Sequence, residues 1–269
     1  MLLANKTAVI YGGGGWLSGT IARAFGAAGA NIFVSGRSLD KVQKVADDII
    51  AAGGKAEAAV VDALDETAVN AYVESVTAKA GSIDISFNLI GVLNPPNVPM
   101  VTLSVADFMQ PVNDAVKTQF ITGMAAGKVM MKQGNGVILS LTNTAAATIY
   151  TMLGSCGTAL AAMEAFSKNL AAELGCYGVR VLNIRSGGSM DSEPFTKMFE
   201  MVGSEVAGDI VSKMTGDSML KTLPLMQDIA NIAVFLASPL AGKITGTTID
   251  VTCGTTGALN YKPNYEKKD

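Results

Sequence analysis

Among the residue types that perform chemistry, histidine is wholly absent from this chain. That excludes Ser–His–Asp hydrolysis, histidine metal sites and any imidazole acid–base scheme. Proton transfer must come from Tyr, Cys, Lys, Asp, Glu, Asn or Ser, or from a cofactor. Asn143 and Tyr150 frame the loop TNTAAATIYTML. Asn143 can cap that loop or donate its amide N–H to a carbonyl or a developing oxyanion. Tyr150 can supply an acid or form an apolar wall. Cys156 follows in GSCGTAL, ahead of an alanine-rich run. A thiol with a reference pKa of about 8.5 is acidic enough for proton transfer, but a cysteine among alanines is also an ordinary small core residue. Asp191, in GGSMDSEP, can serve as the N-cap of a surface helix.

A second chemical feature is YGGGGWLSG, at residues 11–19, directly after an apolar strand-like run. Glycines between a strand and a helix let backbone N–H groups and the helix dipole hold a pyrophosphate. A tight strand-to-helix turn with no ligand accounts for the same residues.

These segments must be placed by elements that the hydrophobic pattern predicts. Short β-rich runs (KTAVIYG, NIFVSG, KAEAAVVDA, DISFNLIG, NGVILSLT, VRVLNIRS and TTIDVTCG) alternate with alanine-rich stretches of helical periodicity. Several of those stretches end in glycine, as helix C-caps do. The alternation predicts an α/β fold, a doubly wound parallel sheet of about seven strands with helices on both faces. No repeat or linker interrupts the 269 residues, so 1–269 reads as a single domain, with 1–5 and 260–269 as loose termini. A net charge of −3 and no basic run argue against nucleic-acid or membrane partners and leave a small molecule. Three cysteines without metal-type spacing, and a start that lacks a signal-peptide pattern, predict a cytoplasmic protein.

From Lys6 to Gly254 the chain resembles the short-chain dehydrogenase/reductase family, whose single Rossmann-type domain binds NAD(P)(H). YGGGGWLS stands at the family's TGxxxGxG, and DALD, with Asp62, at its adenine-side motif. DISFNLIG resembles the strand ending in NNAG and keeps Asn88 and Gly91. VRVLNIRSGG resembles the run into the PG motif and keeps Gly187. Gly12 keeps the first glycine of the phosphate loop, while Trp16 and Ser18 replace the second and third. The second glycine lets the backbone approach the pyrophosphate, so an indole there must point outward or fill part of the site. Arg37, in SGRS, follows the second strand, with Gly36 where NAD-specific members tend to carry an acid. Helped by Ser38, Arg37 could hold a 2′-phosphate, which implies NADP(H) over NAD(H).

The resemblance also says what is missing. Members of the family work with an asparagine, a serine, a tyrosine and a lysine, and the family's spacing lands here on Ala115, Asn143, Cys156 and Leu160. All four are replaced, and no YxxxK occurs anywhere in the chain. Asn113 is about 200° around a helix from Ala115 and cannot substitute by a slip of register. Leu160, at the lysine's place, implies an apolar substrate pocket. Asp191 falls near the threonine that often contacts the nicotinamide amide, and MDSEPFTKMFEMV resembles the variable lid, here rich in methionine. Three readings follow: an NADP(H)-dependent oxidoreductase taking a substrate that needs little help from an acid, a non-redox isomerase, dehydratase or cyclase, or a non-catalytic partner subunit. The helices beginning near Asp107 and Met152 are those that pair in the family's dimers and tetramers, which implies a homo-oligomer.

Overall fold

The computed structural model describes residues 1–92 and 99–257. Its frame is seven parallel strands: β1 (Thr7–Tyr11), β2 (Asn31–Gly36), β3 (Lys55–Val60), β4 (Ile85–Asn88), β5 (Gly136–Asn143), β6 (Val179–Ser186) and β7 (Thr247–Val251). They lie in the order β3-β2-β1-β4-β5-β6-β7. The central strands are apolar along both faces because helices cover both, and β1 is buried at every position.

One face carries α1 (Trp16–Ala27), α2 (Leu39–Ala51) and α8 (Met226–Ala237), which close a core around Ile10, Phe25, Ile32, Phe87 and Ile229. The other carries α3 (Glu66–Ala80), α4 (Val105–Gln133) and α5 (Cys156–Leu174), over Tyr11, Val69, Ile121 and Leu170. Between β6 and α8, α6 (Glu193–Val202) and α7 (Ser204–Asp217) form a separate helical pair. Side-chain caps start the helices that need them: Asp65 accepts from the Ala68 N–H and Ser104 from the Asp107 N–H. Among the described residues no helix is long and apolar enough to cross a membrane.

The N-terminus departs from the loose segment expected. Leu3 is fully buried and its N–H donates to the Ala28 carbonyl at 2.9 Å, so residues 1–5 are pinned beneath the end of α1. An apolar residue at the third position offers hydrophobic burial that a free terminus forgoes. The expected loose C-terminal residues 260–269 lie outside the described residues.

Tyr11 and Tyr72 meet edge to face in the second core, their ring centroids 6.1 Å apart. Burial pushes the Tyr11 phenol well above its ordinary value, with the Tyr72 charge adding to it. The unfolded chain therefore ionises this tyrosine first, and stability fully present below the ordinary value near 10 is lost as pH rises beyond it. We expect Tyr11 to remove about 1.4 kcal/mol by pH 11. Its hydroxyl has no hydrogen-bond partner among the described residues. Tyr11→Phe should thus make the alkaline limb of urea-unfolding free energy shallower without loss at pH 7, the remainder belonging to Tyr72, whose phenol burial also raises.

Candidate functional site

In an open parallel sheet the ligand crevice forms beyond the carboxyl ends of the strands, where the strand order reverses. Here that point lies between β1 and β4. A cleft of about 1500 Å³ opens there, floored by the ends of β1, β2, β4, β5 and β6 and roofed by residues of α6 and α7.

At one end of the cleft lies the glycine loop. Gly12 has φ +71°, and a Cβ on it would sit 3.0 Å from the Ile90 side chain and 3.1 Å from the backbone. A Cβ on Gly13 would meet Val34 Cγ2 at 2.1 Å. The glycine run is therefore required by close packing on β2 and β4 whether or not a ligand is present. Ser18 ties the loop, since its Oγ accepts from the Gly15 N–H at 3.0 Å and donates to the Gly12 carbonyl at 2.8 Å. The serine at the third motif position thus supplies the loop's rigidity by hydrogen bonding. Trp16 is the first residue of α1, lines the cleft and is half exposed. Its indole forms part of the wall and leaves the cleft open beyond it.

Around the same end, Arg37 lines the cleft and makes no ion pair among the described residues. Asp62 also lines it, with Oδ1 accepting from the Leu64 N–H at 3.0 Å. Gly91 and Gly187 contribute backbone, and the Gly187 N–H is held by the Val251 carbonyl at 2.8 Å. Two expected contacts differ. Asn88 does not line the cleft but is buried beneath it, donating to Thr122 Oγ1 and accepting from the Ile90 N–H, both at 3.0 Å. It positions the turn that carries Gly91. Ser38 is exposed at the N-terminus of α2 and also lies off the cleft wall.

The other end holds the candidate chemistry. Asn143, at the end of β5, lines the cleft. Its Oδ1 accepts from the Ala145 N–H at 2.9 Å, so it does cap its loop, and its N–H₂ group has no partner among the described residues. Tyr150 lines the same wall, and its hydroxyl donates to Thr144 Oγ1 at 3.0 Å. Beneath Asn143, Thr142 donates to the buried Glu164 at 2.8 Å, and Glu164 is paired with Arg185 at 2.5 Å. Arg185 reaches Asp250 at 2.8 Å, so one ionic chain links α5, β6 and β7 under the site.

The remaining expected residues are placed elsewhere. Leu160 is not at the cleft surface: it is 3% exposed and forms a small core with Ala115, Ala159 and Met163, against which Cys156 and Val92 pack. Three of the four positions on which the family's spacing falls, Ala115, Cys156 and Leu160, thus lie in one apolar cluster. Burial pushes the Cys156 thiol up, away from the thiolate a nucleophile requires. Asp191 is exposed, and its carboxylate accepts from the Met226 N–H at 3.0 Å, capping α8 from outside rather than reaching the cleft.

Four cleft residues had no sequence signal of their own. Ser189 is buried, and its Oγ has no hydrogen-bond partner among the described residues. Gln110 and Asp114 share one face of α4, a turn apart, and Lys213 lies on α7. The helical spacing of Gln110, Pro111, Asp114 and Ala115 was legible, but which face met the cleft was not.

A family model described as enoyl-(acyl carrier protein) reductase matches residues 17–256. The 7alpha-hydroxysteroid dehydrogenase of Escherichia coli K12 is 31% identical over 258 residues, covering 96% of this chain and 97% of that protein. The 2,3-dihydro-2,3-dihydroxybenzoate dehydrogenase of Bacillus subtilis is 29% identical over 257 residues, covering 94% and 97%. A short-chain type dehydrogenase/reductase from Mycobacterium ulcerans superposes with a TM-score of 0.87 at 24% identity, over 96% of this chain and 92% of that one.

Proposed function

Since this chain belongs to the short-chain dehydrogenase/reductase family, we propose that it is an NADP(H)-dependent oxidoreductase acting on a small apolar or conjugated substrate without the family's Tyr/Lys proton donor. The observation that carries this reading is Arg37, a guanidinium with no ion-pair partner among the described residues, on the rim of a cleft whose same end is built from the glycine loop and Asp62. An arginine so placed suits a 2′-phosphate, which it can grip through two parallel charge-assisted hydrogen bonds.

The residues present fit a nicotinamide dinucleotide. The N-terminus of α1 faces the cleft with the Gly12–Gly15 turn, Arg37 and Asp62 stand at the adenosine end, and the orphaned Ser189 hydroxyl waits near Gly187. When bound, the dinucleotide supplies hydride transfer. The rest of the work falls to this chain. The free N–H₂ group of Asn143 can donate to a substrate oxygen as negative charge develops on it. Tyr150, already bonded to Thr144, can pass a proton from the open side of the cleft. Phe195, Ile210 and Met214 line the roof and exclude water. An apolar substrate agrees with the name of the hydroxysteroid dehydrogenase relative. Phe120, half exposed on α4 and packed at a tilt against Phe166 of α5, supports a homo-oligomer through those two helices.

Arg37→Ala tests the cofactor assignment. We expect it to weaken NADPH binding by about 10- to 100-fold while changing NADH binding by less than about threefold. Equal loss for the two dinucleotides, measured by calorimetry, would remove the 2′-phosphate role. A second reading, a non-redox isomerase, dehydratase or cyclase, is favoured by one observation. Leu160 has been absorbed into the core, so the group that would hold the nicotinamide ribose is gone. Turnover of a substrate in the complete absence of dinucleotide would select that reading.

A further inference from the structure

Asp114 is the carboxylate for which nothing described so far provides a use. It lies in the first half of α4, on the face with Gln110, Pro111 and Ala115 that lines the cleft, and it is half-buried. The Gln110 side-chain N–H₂ donates to its Oδ1 at 2.9 Å. Its Oδ2 has no partner among the described residues. Among the described residues no cation pairs with it: Lys213 lines the cleft from α7, is exposed, and forms no ion pair with it. Pro111 and Ala115 share its face of α4, and Leu141, Phe195 and Met214 are apolar members of the same cleft wall.

A carboxylate oriented by an amide, in a cleft whose wall includes apolar residues, is complementary to a cation carried on an apolar body. We propose that Asp114 is the recognition residue for a protonated nitrogen, and that the substrate is a small cyclic iminium ion or its amine product. This rests on the oxidoreductase reading and narrows its substrate, for which the donor roles given above to Asn143 and Tyr150 are not needed. It also accounts for what the site lacks. Reduction of a C=N⁺ bond by a reduced nicotinamide dinucleotide adds hydride, with its electron pair, to carbon. The π pair moves onto nitrogen and cancels its charge, and the dinucleotide is left oxidised. No proton has to reach the reacting atom, because it was already on nitrogen. A ketone or aldehyde, in contrast, needs a proton at oxygen, the task of the tyrosine and lysine that are replaced here by Cys156 and Leu160.

The test is calorimetric and needs no turnover. Three probes are titrated into the full chain, with and without saturating NADP⁺: 1,2,3,4-tetrahydroisoquinoline (an ammonium ion at pH 7), the neutral 1-tetralone of matching shape, and the anion tetralin-1-carboxylate. We expect the amine to bind about 10- to 100-fold tighter than the ketone. Asp114→Asn should abolish that preference while leaving ketone affinity unchanged, and Asp114→Glu, which keeps the charge, should retain part of it. The proposal is overturned if wild type binds amine and ketone equally, if Asp114→Asn keeps the preference, if the anion binds best and Lys213 is therefore the recognising group, or if none of the probes binds at millimolar concentration. If NADP⁺ itself fails to bind, the oxidoreductase reading falls separately, and the titrations without dinucleotide still decide the role of Asp114.

Discussion

Leu160→Lys, which puts a lysine where the family's spacing places one, is expected to lower the unfolding free energy at pH 7 by about 3–5 kcal/mol and to give no reductase of ordinary type. Leu160 is 3% exposed, and its neighbours Ala115, Ala159 and Met163 offer no acceptor for an ammonium. The nearest acid along the helix is Glu164, one turn on, but both of its oxygens are already used, by Thr142 and Arg185. The buried amine avoids the penalty by losing its proton, so its folded-state pKa is depressed below the ordinary lysine value of about 10.4. The cost should therefore shrink as pH rises toward that value. Urea unfolding at pH 7 and pH 10 measures both. A loss under about 1 kcal/mol at pH 7 would show that the position opens to the cleft, and would return Leu160 to the substrate pocket.

Glu164→Ala should be of similar size, about 3–5 kcal/mol, or a drop in Tm of roughly 10 °C for a chain of this length. The side chains of Glu164 and Arg185 are 8% and 13% exposed, and the change leaves a guanidinium buried with only Asp250 to meet it. Burial alone would lower the Arg185 pKa, yet it is raised, because the Glu164 and Asp250 carboxylates outweigh that effect. Replacing both partners, as Glu164→Leu with Arg185→Met, should recover most of the loss, since the desolvated charge disappears with its mate. A double-mutant cycle by chemical denaturation reads the coupling directly. The functional consequence is local. Thr142 is bonded to Glu164 and immediately precedes Asn143, so the single variant should also weaken whatever Asn143 holds.

The strands could be read because each is an apolar run that only a doubly covered sheet buries, and the loop after β1 because glycines with no room for a Cβ leave a visible run. The reading failed where a residue's type allowed two environments. A leucine one helical turn after Cys156 fits an apolar pocket and a core equally well, and only the third dimension puts it in the core. Asp191 caps a helix that begins far along the chain, so no local spacing announces its partner. Asn88 keeps the motif's identity but serves the motif from below, by fixing the turn before Gly91. Asp114 belongs to no motif, since the family's spacing falls on Ala115 beside it. Leu3 was read as loose from its closeness to the terminus, whereas apolar burial decides whether a terminus is ordered.

The cleft is proposed to bind a reduced nicotinamide dinucleotide and to prefer the one with a 2′-phosphate. Trp16 is the chain's single tryptophan and stands on the cleft wall, so its emission reports occupancy with no other indole to obscure it. Titration with NADPH and with NADH, following the loss of Trp16 emission and the energy transferred to the bound nicotinamide, is the most direct measurement. Saturable quenching with transfer at micromolar NADPH, and at least about tenfold weaker binding of NADH, is the predicted result. Unchanged Trp16 emission up to millimolar NADPH would contradict it, and would mean that the indole closes the phosphate site to dinucleotides.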